Sequence, residues 1–225
     1  MHVQYTLITT TITSRNGTLD SEVTSRIAKA TTAFGRLTKR LWKNRNVRLS
    51  TKIAVYKAVV IPTLLYACES WAPRKDHIRR LERFHQKSLR KIARIRWFHR
   101  TTNVDVLSKC NITSIEAFMD TARLRWSGHV VRMDDSRIPK MLLYGRLANG
   151  QSRRGNHSTY INKLKGTLTS CNISRANFEV LARERPKWRA VSKAGVRTAE
   201  AGRMKKLTDK RELRKARNVL SRGLP

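Results

Sequence analysis

The charge imbalance constrains this chain more than any other feature. Of its 225 residues, 49 are lysine or arginine and 15 are aspartate or glutamate, which gives a formal net charge of +34 at pH 7. A compact domain of this length cannot bury such an excess, and self-repulsion at this density destabilises the compact state unless counter-ions are bound. The fold must therefore keep most of these cations on its surface.

A phosphate backbone is the most available source of ordered counter-charge, because each phosphate that is neutralised also releases condensed cations. We therefore expect nucleic acid as the partner (RNA, DNA or a hybrid duplex, held by backbone contacts) and no small-molecule substrate. The net charge alone identifies neither a fold nor a reaction. A ribosomal-type or other structural RNA-binding protein would also fit it.

The distribution of apolar residues and cysteines indicates the cellular compartment in which this protein is expected. The longest apolar run, residues 58–68, is interrupted by Pro62 and is shorter than the ~20 residues that span a bilayer. We expect no membrane segment and no secretion signal, and hence an intracellular protein, nuclear or cytoplasmic.

Cys68, Cys110 and Cys171 are too far apart for a disulfide framework or a zinc site, so we expect free thiols in or near the core, no metal and no cofactor.

The pattern of apolar residues predicts a mainly α fold after one N-terminal strand. Residues 3–12 are rich in β-branched and aromatic types and precede an Asn16-Gly17 turn, which is typical of a strand or half of a hairpin. From Asp20, a predicted N-cap, the pattern changes to a helical period. The predicted inward stripe is Val23, Ile27, Ala30, Phe34, Leu37 and Leu41. The predicted outward cations are Arg26, Lys29, Arg36, Lys39, Arg40 and Lys43.

Two further helices are predicted before residue 100. One begins near Ser50 and should kink at Pro62. The next covers residues 76–94 and ends at three aromatic residues, Trp97, Phe98 and His99, which we expect to plug a core rather than stack on bases. Its predicted inward residues are Ile78, Leu81, Phe84, Leu89 and Ile92. Its predicted outward cations are Arg79, Arg80, Arg83, Lys87, Arg90, Lys91 and Arg94.

The second half of the chain is also predicted to be helical. Helices are expected from Ser114 to about Met133 and over residues 160–169, 176–184 and 186–197. The Gly150–Gly155 loop places Arg153 and Arg154 between glycines, a pattern that suits flexible phosphate contacts but is also common in linkers. From Gly202 onward the chain is basic with little apolar content, and we expect a frayed helix or disorder.

No catalytic constellation stands out in the sequence. A polymerase or a metal-dependent nuclease needs clustered carboxylates to hold its cations. Asp134-Asp135 is the only adjacent acidic pair, and the segments that flank it do not have the pattern of strands. We expect this pair to be solvated at a helix end, and we predict no catalytic residue in the chain.

A series of motifs resembles the reverse transcriptases of non-LTR (LINE-type) retrotransposons, in the stretch from the last palm strands to the C-terminus. The motifs are collinear over residues 3–195, although Tyr5-Thr6-Leu7-Ile8 lacks the usual glycine and residues 156–159 are less basic than is common. They are Tyr5-x-Leu7, Ile12-Thr13-Ser14, Gly17-x-Leu19-Asp20, TKIAVYKAVVIPTLLYACESW at 51–71, LERFHQKSLR at 81–90, TSIEA at 113–117, LRWSGHVVRM at 124–133, SRIPK at 136–140 and LARERPKWR at 181–189.

The resemblance implies a palm-end strand or hairpin at 1–19, a thumb-like helical bundle at 20–100, a helical C-terminal region at 101–200 and a basic, partly disordered tail at 201–225. It also implies a module that grips the template–primer backbone, while the family's catalytic aspartates lie upstream of the matched stretch and do not align with Asp134. The predicted phosphate-binding residues are Arg79, Arg83, Lys87, Arg90 and Lys91, followed by Arg36, Lys39, Arg40, Arg153 and Arg154.

Two alternatives stay open at this point. The chain could be part of a complete RNA-directed DNA polymerase that is active only with upstream fingers and palm. It could also be a decayed copy without function or without a stable fold. In the leading interpretation it binds nucleic acid and has no catalytic activity of its own.

Overall fold

The structure, a computed structural model, describes residues 19–144 and 160–222, with side chains as far as residue 218. The described residues are mainly helical, with no strand among them, which confirms the predicted fold class. The strand predicted at residues 3–12 lies outside the described residues. The described chain divides into two compact units, residues 19–101 together with Tyr160, and residues 102–144 together with 161–222.

The first unit packs four α-helices and two wide, π-type turns around an apolar core. Its α-helices are α1 (Asp20–Arg36), α2 (Leu49–Val55), α3 (Ile61–Leu64) and α4 (Lys75–Ile92). The π-type turns are Thr38–Trp42, after α1, and Tyr56–Val60, between α2 and α3. Ile53, Tyr56, Val60 and Leu64, which lie along the helix predicted from Ser50, are all buried.

Aromatic rings close the core between α1 and the segment that follows it. Phe34 stacks on Trp42 with ring centroids 5.0 Å apart and meets Tyr56 edge-on at 6.4 Å. The Trp42 indole N–H donates to the carbonyl of Phe34 at 2.8 Å, so the ring satisfies its polar atom while it is buried. The Tyr56 hydroxyl lies 3.0 Å from Nδ1 of His85, which brings α4 into the same cluster.

Two predictions for α1 were wrong in detail. Asp20 is the first helical residue rather than the N-cap, which is Leu19 without a side-chain cap bond. Arg26 is buried rather than solvated: it donates to Glu22 at 2.7 Å, and its guanidinium lies 4.5 Å from the centroid of the Tyr66 ring. The carboxylate and the aromatic face compensate the buried charge.

The backbone changes its hydrogen bonding ahead of Pro62, where a kink was predicted. The amide of Ile61 donates to the carbonyl of Tyr56, five residues back rather than four. Pro62 has no amide hydrogen to continue the ladder, and a wider turn accommodates its ring. The helical path then continues through α3.

The second unit contains six helices within the described residues. They are α5 (Asn103–Cys110), α6 (Ile115–Val131), α7 (Ile138–Tyr144), α8 (Tyr160–Ser170), α9 (Phe178–Arg183) and α10 (Arg185–Arg222). The prediction at Ser114 is confirmed, because its side chain accepts from the amide of Ala117 as the N-cap of α6. The short helices α5 and α7 were not predicted.

Trp188 fixes α10 against α6. Its indole N–H donates to the carbonyl of Leu124 at 2.9 Å, and its ring meets Phe178 of α9 edge-on. Gly128 makes this approach possible, because a Cβ at that position would lie 2.1 Å from the indole nitrogen of Trp188. The contact joins two segments that are 60 residues apart in the sequence.

Polar contacts also join α6 to α8 and α10. Asp120, on the inward side of α6, accepts from Thr167 at 3.1 Å and from Arg203 at 2.8 Å. Glu200 accepts from the amide and the hydroxyl of Ser114, both at 2.7 Å. Burial acts to lower the pKa of Arg203, but the carboxylates of Asp120 and Glu200 outweigh it and hold that pKa above its usual value.

The C-terminal part of the chain continues α10. A frayed helix or disorder was predicted from Gly202, and the structure shows helix as far as Arg222. Every side chain of residues 205–218 is exposed, so this part of α10 contributes nothing to the core of its unit.

The three cysteines are free and buried, as predicted. Burial raises the pKa of the Cys110 and Cys171 thiols above the usual value, because a thiolate is poorly solvated there. In the described part of the chain, no helix has the length and apolar character needed to cross a bilayer.

Candidate nucleic-acid interface

Helix α4 separates a packed face from a basic face. Leu81, Leu89 and Ile92 are buried as predicted. His77 and His85 are also buried, which makes the inward face more polar than the apolar pattern alone indicated. The side chains of the opposite face point to solvent.

Four cations on that exposed face have no partner among the described residues. Arg79, Arg83, Lys87 and Lys91 follow one another at intervals of four residues and span about 18 Å along the helix axis. None of them makes an ion pair or a hydrogen bond within the described part of the chain. We call this set the α4 basic stripe.

The other predicted cations of this helix have structural contacts. Arg80 donates to the Thr24 hydroxyl on α1 at 2.6 Å. Arg90 is half-buried and donates to the carbonyl of Thr101 at 3.0 Å. Arg90 was placed among the phosphate-binding residues, but its guanidinium holds the chain beyond the helix in place and is less available than the α4 basic stripe.

A second group of predicted cations lies at the end of α1. Arg36 is in its last turn, and Lys39 and Arg40 are in the π-type turn that follows. All three side chains are exposed and without an ion-pair partner in the described residues.

Two other cations hold the loop after this group, one from the end of α4 and one from α2. Arg94, just beyond α4, donates to the carbonyl of Lys43 at 2.8 Å. The buried Lys52 donates to the carbonyls of Trp42 at 3.2 Å and Asn44 at 2.6 Å. Burial, assisted by the nearby charge of Arg94, lowers the pKa of Lys52. These contacts hold the loop beyond Arg40 against the segment that follows Lys91, so both basic groups belong to one packed unit.

Arg153 and Arg154, the remaining predicted contacts, lie outside the described residues. The structure therefore places two of the three predicted basic groups in the first unit.

The prediction for the aromatic residues after α4 was wrong. Trp97 is 90% exposed and Phe98 is 54% exposed, and His99 is exposed beside them. They form a short 3₁₀ turn rather than a core plug. A run of large aromatic residues favours burial on average, but the core of the first unit is closed by Phe34, Trp42 and Tyr56 instead.

One cluster in the first unit has the composition of a metal site. Ligand atoms of Asp20, Asp76 and His77 lie within 4.8 Å of one another. Arg74 lies between the carboxylates, 3.1 Å from Asp20 and 3.3 Å from Asp76. Nδ1 of His77 accepts from the backbone amide of Arg74, which leaves Nε2 to donate to Asp20 at 3.0 Å. The guanidinium supplies the positive charge that a cation would bring, and the cluster ties α1 to α4.

The Asp134-Asp135 pair lies on the exposed turn after α6, as predicted. Asp135 pairs with Lys140 of α7 at 2.7 Å, and the hydrogen bond from Lys140 lowers the pKa of Asp135. An open depression of about 710 Å³ lies beside this pair, between the end of α6, α7 and α9. Burial and Glu179 raise the pKa of Tyr144, on its wall, to about 12.

No protein-family model, no curated protein and no solved structure matches the chain.

Proposed function

We propose that this chain binds nucleic acid through the phosphate backbone, as a thumb-like helical module without catalysis of its own. The observation that carries the proposal is the α4 basic stripe: four exposed cations without partners among the described residues, on the outer side of a helix whose inner side is packed. Contacts of this kind position a nucleic acid and carry no sequence information, so binding should be largely independent of sequence.

The contrast with the other cations of the first unit supports this proposal. Arg26, Lys52 and Arg80 each donate to a carboxylate, a carbonyl or a hydroxyl of the same unit. These three cations therefore stabilise the fold of the first unit. The α4 basic stripe has no such use within the described residues, and leaving four like charges on one helix face costs stability unless an anion neutralises them.

On the resemblance of its motifs, we further propose that the chain corresponds to the thumb and C-terminal region of a retrotransposon RNA-directed DNA polymerase. The isolated chain should then show no primer extension. Primer extension that is restored by separately supplied fingers and palm would favour the complete-polymerase alternative.

Thermal unfolding without a cooperative transition, even with nucleic acid added, would favour the alternative of a decayed copy without a stable fold.

The experiment that tests backbone binding is a salt series measured by fluorescence anisotropy with a labelled RNA–DNA hybrid. The logarithm of affinity should fall linearly with the logarithm of salt concentration. The double variant Arg83→Gln with Lys87→Gln should lower the slope by about two, since roughly one counterion is released per phosphate contact.

The matched control removes two exposed cations of the second unit, Arg125→Gln with Lys109→Gln, and so keeps the same net charge as the test variant. It should leave the slope close to that of the wild type. Binding that is insensitive to salt, or an equal loss in both double variants, would contradict a site on α4.

A further inference from the structure

The exposed 3₁₀ turn Trp97–His99, which we call the aromatic turn, plays no part in the proposed contacts with the phosphate backbone. Phosphates are bound by cations and amides, and a Trp ring that is 90% exposed adds nothing to such binding. Exposing this much aromatic surface is unfavourable in water. Covering these rings with an apolar, planar surface of a partner would therefore be favourable.

The aromatic turn is held in place by its own contacts. Phe98 stacks on His99 with centroids 4.4 Å apart, and Trp97 meets Phe98 edge-on at 6.0 Å. Nδ1 of His99 accepts from the backbone amide of Arg96 at 3.0 Å, and the amide of Arg100 donates to the carbonyl of Trp97. Arg90 fixes the carbonyl of Thr101 just beyond it. The rings are thus presented to solvent on an ordered backbone.

The charges around the aromatic turn favour an anionic partner. Arg94, Arg96 and Arg100 flank it on both sides, and all three are exposed. None of them pairs with a carboxylate in the described part of the chain. Only residues 93–96 separate the turn from the end of α4, so it lies close in the sequence to Lys91, the last residue of the α4 basic stripe.

We propose that the aromatic turn stacks on unpaired nucleobases, so that the nucleic acid bound by this chain includes a single-stranded segment next to the part held by α4. This inference rests on the proposed function. Single-stranded nucleic acid combines the two features that the turn requires, flat aromatic surfaces and regularly spaced anions. In a continuous duplex the base faces are covered by neighbouring base pairs and are closed to a Trp ring.

The test compares a single-stranded oligonucleotide with an abasic oligonucleotide of the same length and the same phosphate count. The variants are Trp97→Leu, which keeps apolar bulk but removes the ring, and Trp97→Phe, which keeps a smaller ring. Trp97→Leu should weaken binding of the base-containing strand by roughly five- to one-hundred-fold and leave abasic binding unchanged. Trp97→Phe should retain part of the affinity.

The salt slope should be the same in all three proteins, because no cation is removed. Ring stacking should also quench the emission of wild-type Trp97, and this change should be missing from Trp97→Phe. Equal affinity of Trp97→Leu and wild type for the base-containing strand would overturn the inference, as would an equal loss on both strands. If wild type binds neither strand in a salt-dependent way, the proposed function itself fails.

Discussion

Gly128 shows how one residue decides the packing of the second unit. Alanine at this position would place its Cβ 2.1 Å from the indole nitrogen of Trp188. We expect Gly128→Ala to displace that ring, break its hydrogen bond to Leu124 and lower the free energy of unfolding by about 1–3 kcal/mol. Urea denaturation monitored by Trp fluorescence measures the loss.

The matched control is Gly202→Ala on α10, where no atom lies within 4 Å of the added Cβ. Alanine has a higher helix propensity than glycine, so this variant should be unchanged or more stable by up to about 1 kcal/mol. A similar loss in both variants would show that the contact with Trp188 is not the cause.

Single residues also mark the limit of prediction from sequence. Lys52 and Arg26 carry charges that a helical pattern places in solvent, yet both are buried. Lys52 donates to backbone carbonyls eight and ten residues away. Arg26 has a local partner in Glu22, but it also lies against the ring of Tyr66, forty residues away. Local periodicity contains no information on such contacts, because they arise only when helices pack.

At the scale of elements, the Asp20 carboxylate joins the start of α1 to the start of α4. The hydrogen bond from His77, together with the charge of Arg74, holds the pKa of Asp20 below its ordinary value of about 3.9. A carboxyl whose pKa is lowered on folding contributes stability above its unfolded pKa and loses that contribution as the pH falls through its folded pKa. Its contribution should therefore be complete near neutral pH and disappear in acid.

We expect Asp20→Asn to be less stable than the wild type at pH 6, and the difference to shrink as the pH falls below about 4. Urea unfolding between pH 6 and pH 3 measures this. Asp209→Asn, which removes an exposed carboxylate of α10 without an ion pair in the described residues, is the control. A difference between Asp20→Asn and wild type that is constant with pH would contradict an electrostatic role.

The apolar stripes of α4 and α6 predicted both helices to within a few residues, and the stripe of α1 predicted where that helix begins. The longest helix, α10, was predicted only over residues 186–197, because its side chains from 205 to 218 are all exposed and carry no stripe. Helix α5 is too short for a stripe, but Thr102 and Asp105 form a reciprocal capping box that a search for capping signals would have found. No comparable sequence signal predicts that the aromatic turn is exposed, because its exposure depends on which aromatic rings fill the core when the helices pack.

At the scale of the whole molecule, the net charge of +34 acts on the stability of every element. Salt screens repulsion between like charges, so we expect the melting temperature to rise as NaCl increases from about 0.05 to 0.5 M. A base-free polyanion such as heparin should raise it at much lower concentration. Circular dichroism at 222 nm measures both, and a melting temperature that falls with salt would contradict a fold limited by self-repulsion.

The burial of all three cysteines has a practical consequence for work on this protein. Thiol-specific reagents attack the thiolate, and the wild-type chain keeps its thiols enclosed and, for Cys110 and Cys171, protonated beyond the usual pH. One cysteine introduced on the surface, for example in place of the exposed Lys75 at the start of α4, would be the preferred attachment site for a maleimide dye or a photocrosslinker. The native sequence is thus already a suitable background for mapping where a bound strand runs.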